Sequence, residues 1–268
     1  DQWRKIYFVR GFVNPDGLFR WIDLNKDQTI VAVSEPVKAH ILRNFPEIAR
    51  SVLVIHNFIP TDFIGIRSFS QYKRHEDAAV RIGIVGYIGS QKNQIRAVDM
   101  ISHLINLGFD VVLIIFGEAY SKENKEYLEK LKGKISHLSL KKYIRFEGYT
   151  KKIDIFNNID ILLSTSVTEG FGKTIIEGMV AGLPVIAFAG AGGPRDLIQS
   201  WENGVLVNNF ESLELELAVS ELCKSRDLRK DLGMKGRLFA LEHFSEEVWR
   251  TKFRHVLKDF SCFKKLHV

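Results

Sequence analysis

The sequence predicts an α/β fold built on a parallel β-sheet, preceded by the end of a second, incomplete unit of the same kind. Three observations carry this. Short runs rich in β-branched, aliphatic or aromatic residues at 80–85, 111–116, 143–146, 159–163, 185–188 and 205–207 have strand length and are bounded by Gly, Pro, Asn or Asp. Helical patterns separate them, as at 92–107, where Val98, Ile101, Leu104 and Ile105 share one face and Gly108 supplies a stop. Glycine-rich turns follow the first and fourth of these strands, which is where open parallel sheets hold ligands.

The elements follow in order. Residues 1–60 contain three apolar runs, 6–9, 30–33 and 52–55, and one clear helix over 35–43 with Ser34 as N-cap and Pro36 in its first turn. Three strands and a helix make a poor free-standing fold, so 1–60 reads as the end of a larger α/β domain whose earlier part is missing. Residues 61–79 are polar and aperiodic, as in a linker or hinge. The alternating segments run over 80–244. Helices at 211–223, 227–243 and 245–260 close the chain, and Phe244, Trp249, Phe253 and Val256 form a face with which 245–268 can dock back on the first unit.

Composition is that of a globular protein: 268 residues, 46% hydrophobic and 26% charged. Cys223 and Cys262 are the two cysteines, without a Cys-x-x-Cys pair, which argues against a disulfide scaffold or zinc site and makes a reducing cytoplasm the default. Asp23-x-Asn25-x-Asp27 lacks the glycine and final glutamate of a calcium loop and reads as a turn. No run approaches the roughly 18 apolar residues of a membrane helix. The net charge of +6 is concentrated in 122–152, which holds ten Lys/Arg against four Asp/Glu. A solvated helix face, with Leu128, Leu131, Ile135 and Leu138 turned inward, is the preferred account. Peripheral contact with an anionic membrane comes second, and nucleic acid is not expected as a partner.

The most informative stretch is 168–187. Glu169 and Glu177 lie eight positions apart around Gly170-Phe171-Gly172, with a strand before them and a helix over 173–181 after. The free N–H groups around Gly172, Lys173 and Thr174 favour an anion at that helix start. Phosphate donors between two hydroxyl acceptors suit a ligand with a diphosphate in its middle and a polyol at each end. Either glutamate alone is ordinarily a solvated carboxylate; the combined spacing favours a site.

The pattern Glu169-Gly-Phe-Gly-x-x-x-x-Glu177, followed by Gly182-Leu-Pro-Val-Ile-Ala187 and Gly192-Gly-Pro-Arg-Asp-Leu-Ile198, resembles the carboxyl-terminal domain of family 4 (group 1) retaining glycosyltransferases of GT-B fold, a Rossmann-like architecture. The resemblance implies that Glu169 faces the donor sugar and Glu177 holds the ribose hydroxyls. It also implies that Lys92 in Gly86-Tyr87-Ile-Gly-Ser-Gln-Lys92 meets the diphosphate, although Tyr87 stands where the family has an arginine. Arg10, Lys173 and Arg195 are the candidates to replace that charge. Tyr149 and Thr150 fall at the turn that lies against the nucleobase, and Arg10 ends the first strand where many members carry a histidine beside the sugar.

The implied reaction moves a sugar from a nucleoside diphosphate donor to a carbohydrate or lipid-linked acceptor with retention. No Asp-x-Asp occurs, so neither metal nor cofactor is expected. A nucleotide-sugar-binding module without turnover is the alternative, favoured by Tyr87. A dinucleotide enzyme fails because Glu118, the first acid after the second strand, lies 29 positions past Gly89 rather than about 20.

Overall fold

The computed structural model describes residues 5–12, 28–59, 79–209 and 213–262. The Asp23–Asp27 turn and, apart from Ala79, the 61–79 segment lie outside them.

A small parallel sheet comes first. Strands β1 (Lys5–Val9), β2 (Gln28–Ala32) and β3 (Val52–Val54) pair in the order β1-β2-β3, with Val9 opposite Ala32 and Ala32 opposite Val54. Helix α1 (Glu35–Asn44) covers them with Val37 and Ile41, both fully buried. Ser34 caps it as expected, accepting from the Val37 N–H at 3.2 Å.

The larger sheet has six parallel strands in the order β6-β5-β4-β7-β8-β9: β4 (Val80–Val85), β5 (Val111–Phe116), β6 (Ile144–Gly148), β7 (Ile161–Ser164), β8 (Val185–Phe188) and β9 (Val205–Val207). The chain fills one side of β4 outward to β6, then returns to lay β7, β8 and β9 on the other. The reversal between β4 and β7 opens a crevice at the carboxyl ends of those strands, the position at which doubly wound sheets take ligands. Among the described residues, no helix is long and apolar enough to cross a membrane.

Strand side chains alternate between two cores, as period-2 geometry requires. Leu113 and Ile115 of β5 face a core shared with α2 (Gln94–Asn106), α3 (Lys122–His137) and α6 (Glu214–Lys224). Ile114 and Phe116 face another, shared with α4 (Lys152–Asn157), α5 (Lys173–Val180), α7 (Arg226–His243) and the first sheet. Each Leu, Ile or Val buried there contributes roughly 1.5–3 kcal/mol relative to exposure. The last helix, α8 (Glu246–Cys262), lays Val256, Trp249 and Phe253 against Val31, Ile55 and Ile6 of the first unit. Phe253 reaches Phe8 with ring centroids 5.8 Å apart.

One local expectation needs correction, and one helix goes unpredicted. The helix expected from Lys92 starts at Gln94, because Asn93 adopts the left-handed conformation (φ 49°) and leaves Lys92 in a turn. Helix α4 escapes the periodicity because its six residues present too short a repeat to count.

Candidate functional site

Two loops meet in the crevice, one after β4 and one after β7. The first is shaped by glycine. Gly86 has φ 145°, and the Lys92 stem packs on it, so that a β-carbon there would stand 3.2 Å from Lys92 Cε. Gly117 backs the same turn so closely that its β-carbon would lie 2.0 Å from the Gly86 carbonyl oxygen. The Lys92 carbonyl accepts from Thr165 Oγ1 at 2.8 Å, which ties the turn to the segment after β7. Val167 N–H donates to the Gln91 carbonyl at 2.9 Å, adding a second tie.

From this frame Lys92 Nζ reaches Glu169 Oε2 at 2.8 Å, with both side chains mostly shielded. Glu169 is fixed through its backbone: its N–H donates to Ala191 O and its carbonyl accepts from Gly193 N–H, each at 2.8 Å. Tyr87 is a strut. Its hydroxyl donates to Gln91 Oε1 at 2.6 Å, and Gln91 Nε2 donates to the Thr168 carbonyl at 2.9 Å. Burial, and secondarily the Glu169 charge, hold the Tyr87 phenol above its ordinary pKa, so it stays neutral.

Gly172 turns the chain into α5 with φ 106° and no side-chain cap. The Lys173 and Thr174 N–H groups in the first turn have no carbonyl one turn ahead to accept them, so the helix start offers donors and a positive dipole end. Farther along, Glu177 is 4% exposed and hydrogen-bonds Lys152, the first residue of α4. Burial pushes the Glu177 carboxyl above its usual pKa; the Lys152 hydrogen bond and charge, then Lys173, pull it back. Lys173 itself is exposed.

Other expected residues fall in several places. The Phe171 side chain is buried between His56 and Phe244, with ring centroids at 5.6 and 5.7 Å, so its ring is not offered to a ligand. Gly170 lies under the first unit, where a β-carbon would stand 2.6 Å from the Arg10 carbonyl; the Arg10 side chain is exposed. Tyr149 is 80% exposed and Thr150 Oγ1 donates to Glu147 O at 3.2 Å, both just before Lys152. Arg195 donates through Nε to Ala189 O at 2.9 Å. Sequence reasoning missed Lys152 as a partner of Glu177, because within a run of ten cations nothing local singles it out.

The profile of the family described as Glycosyl transferases group 1 matches residues 67–239. The chain is 23% identical over 224 residues to the poly(ribitol-phosphate) alpha-N-acetylglucosaminyltransferase of Staphylococcus aureus, covering 83% of this chain and 42% of that protein. It is 26% identical over 244 residues to an uncharacterized glycosyltransferase of Methanocaldococcus jannaschii, covering 91% of this chain and 62% of that one. The chain thus spans less than two thirds of the length of either relative. Anabaena HepE in complex with UDP and glucose superposes with a TM-score of 0.78 at 19% identity, over 94% of this chain and 71% of that one. This chain belongs to the group 1 glycosyl transferase family and has its GT-B fold.

Proposed function

We propose that this chain carries the donor-binding half of a retaining, metal-independent glycosyltransferase that moves a sugar from a nucleoside diphosphate to an acceptor hydroxyl. The observation that carries the reading is the Lys92–Glu169 ion pair at the β4/β7 reversal, beside the open start of α5 and ahead of buried Glu177. A diphosphate placed between Lys92 and the N–H groups of 172–174 draws the ammonium away from Glu169. The freed carboxylate then accepts from sugar hydroxyls while Glu177 accepts from the ribose. Negative charge grows on the departing diphosphate as the sugar takes on oxocarbenium character, and Lys92 and the helix start are fixed where that charge appears. No separate general base is assigned: in front-face attack the leaving phosphate receives the acceptor proton.

Reading 1–60 as the end of the acceptor domain puts Arg10 at the edge of the donor cleft, a reading supported by the approach of the Arg10 carbonyl to Gly170. The HepE complex supports a uridine donor, and the poly(ribitol-phosphate) relative supports a polyol-phosphate or other carbohydrate acceptor. Exposed Lys125, Lys130 and Lys132 on α3 suit weak contact with an anionic membrane carrying a lipid-linked acceptor. One observation favours binding without turnover as a second reading: the Tyr87 hydroxyl is engaged with Gln91 and supplies no second cation.

A calorimetric panel on the full-length protein tests the donor reading. UDP-, GDP- or dTDP-sugars should bind, NAD should not, and Glu177→Ala should weaken the nucleoside diphosphate itself. Absence of binding by every sugar nucleotide removes the reading. Release of nucleoside diphosphate in the presence of acceptor separates turnover from binding alone.

A further inference from the structure

Asp196 ends the short turn Gly193–Asp196 that follows β8, and the roles assigned above leave it without one. Its Oδ2 accepts from the Glu35 N–H at 2.7 Å, the first N–H of α1, and bonds His56 Nε2 at 3.0 Å. An ionised carboxylate only accepts, so Nε2 is the donor there. The Asp196 side chain is 10% exposed and sits at the positive end of the α1 dipole. Beside it, Ser34 Oγ donates to the Gly170 carbonyl at 2.6 Å while accepting from Val37 N–H. The His56 ring lies on the Phe171 ring at 5.6 Å with a 24° tilt and meets the edge of Phe244 at 5.5 Å.

These contacts converge on one place. Ser34 and His56 lie two residues past the ends of β2 and β3 of the first sheet, and they grip the two residues directly after Glu169. Asp196 belongs to the turn whose Gly193 N–H holds the Glu169 carbonyl, and a β-carbon on Gly193 would stand 2.5 Å from the Phe171 backbone. The turn and the donor loop therefore move as one piece, and Asp196 fastens that piece to the first unit. We propose that Asp196, acting through His56 and the start of α1, is a positioning residue that locks the Glu169–Phe171 loop in the geometry needed for sugar transfer. This rests on the donor-site reading for its function but not for its mechanics.

The test uses the full-length protein with Asp196→Ala and Asp196→Asn, the latter keeping an oxygen for the Glu35 N–H. Asp196→Ala should speed amide hydrogen exchange across 168–171 about fivefold or more without changing β4 and β5. It should lower donor turnover about tenfold while the nucleoside diphosphate Kd stays within about twofold, as expected for losing two hydrogen bonds that hold the Glu169–Phe171 loop and not the 172–174 helix start. Asp196→Asn should recover most of both effects. Unchanged exchange and turnover in Asp196→Ala overturns the proposal. So does equal loss of protection in both sheets, which marks general destabilisation. If the wild type binds no sugar nucleotide, the donor reading falls, and the exchange result still decides whether the lock exists.

Discussion

Replacing Lys152 with methionine should shift the pH range over which a nucleoside diphosphate binds. Glu177 is almost fully buried and its carboxyl is already raised by desolvation, with the Lys152 hydrogen bond as the chief opposing influence. Removing the ammonium leaves only the charge of Lys173 to favour the ionised form, so the Glu177 pKa rises further. Breaking a fully buried pair costs about 3–5 kcal/mol. Because the Lys152 side chain is 52% exposed, water takes up part of its role, and about 1–2 kcal/mol is expected at neutral pH. The sign follows from the carboxyl. Lys152 stabilises the fold where Glu177 is ionised, above its raised pKa, and that contribution vanishes as pH falls through it. On the proposed ribose role, a protonated Glu177 also gives up one acceptor oxygen, so affinity should drop about tenfold on the acid side. Titration calorimetry of wild type and Lys152→Met from about pH 5 to about pH 8 reads this directly, with the midpoint moved to higher pH in the variant. A coincident midpoint in the two proteins refutes the reasoning.

Glu169→Ala should lower sugar transfer by about tenfold or more yet leave the nucleoside diphosphate bound at least as tightly, since Lys92 loses its internal partner; weaker diphosphate binding by calorimetry contradicts the ion-pair account. Gly193→Ala places a β-carbon 2.5 Å from the Phe171 backbone and should cost about 1–3 kcal/mol in chemical denaturation, with donor binding lost in step. Burial pushes the Cys223 thiol up to about 12, so peptide mapping after treatment with a thiol reagent should find it unlabelled until the protein unfolds.

The fold was legible where periodicity is strong. The runs at 80–85, 111–116, 185–188 and 205–207 coincide with β4, β5, β8 and β9, because an apolar run bounded by turn residues has few other solutions. Ser34 was legible as a cap because capping is a local hydrogen bond. Legibility ended where a residue's role is set from a distance. Lys152 acquires its importance from a carboxylate 25 positions away, and His56 and Asp196 meet across 140. Phe171 illustrates the same limit: its place in the motif suggested the ligand, whereas its ring is claimed by His56 and Phe244.

The two carboxylates of the cleft each face a lysine, Lys92 on Glu169 and Lys152 on Glu177, so these four formal charges cancel. Those two pairs project little long-range field of their own, and a simple anion reaching either lysine must first separate a partnership already in place. A guest bearing phosphate alone or hydroxyls alone compensates one half of a parted couple and strands the other. A molecule presenting both satisfies each half at once. Under the proposed donor reading, this cancellation favours a guest that carries both groups over inorganic phosphate or a free sugar alone.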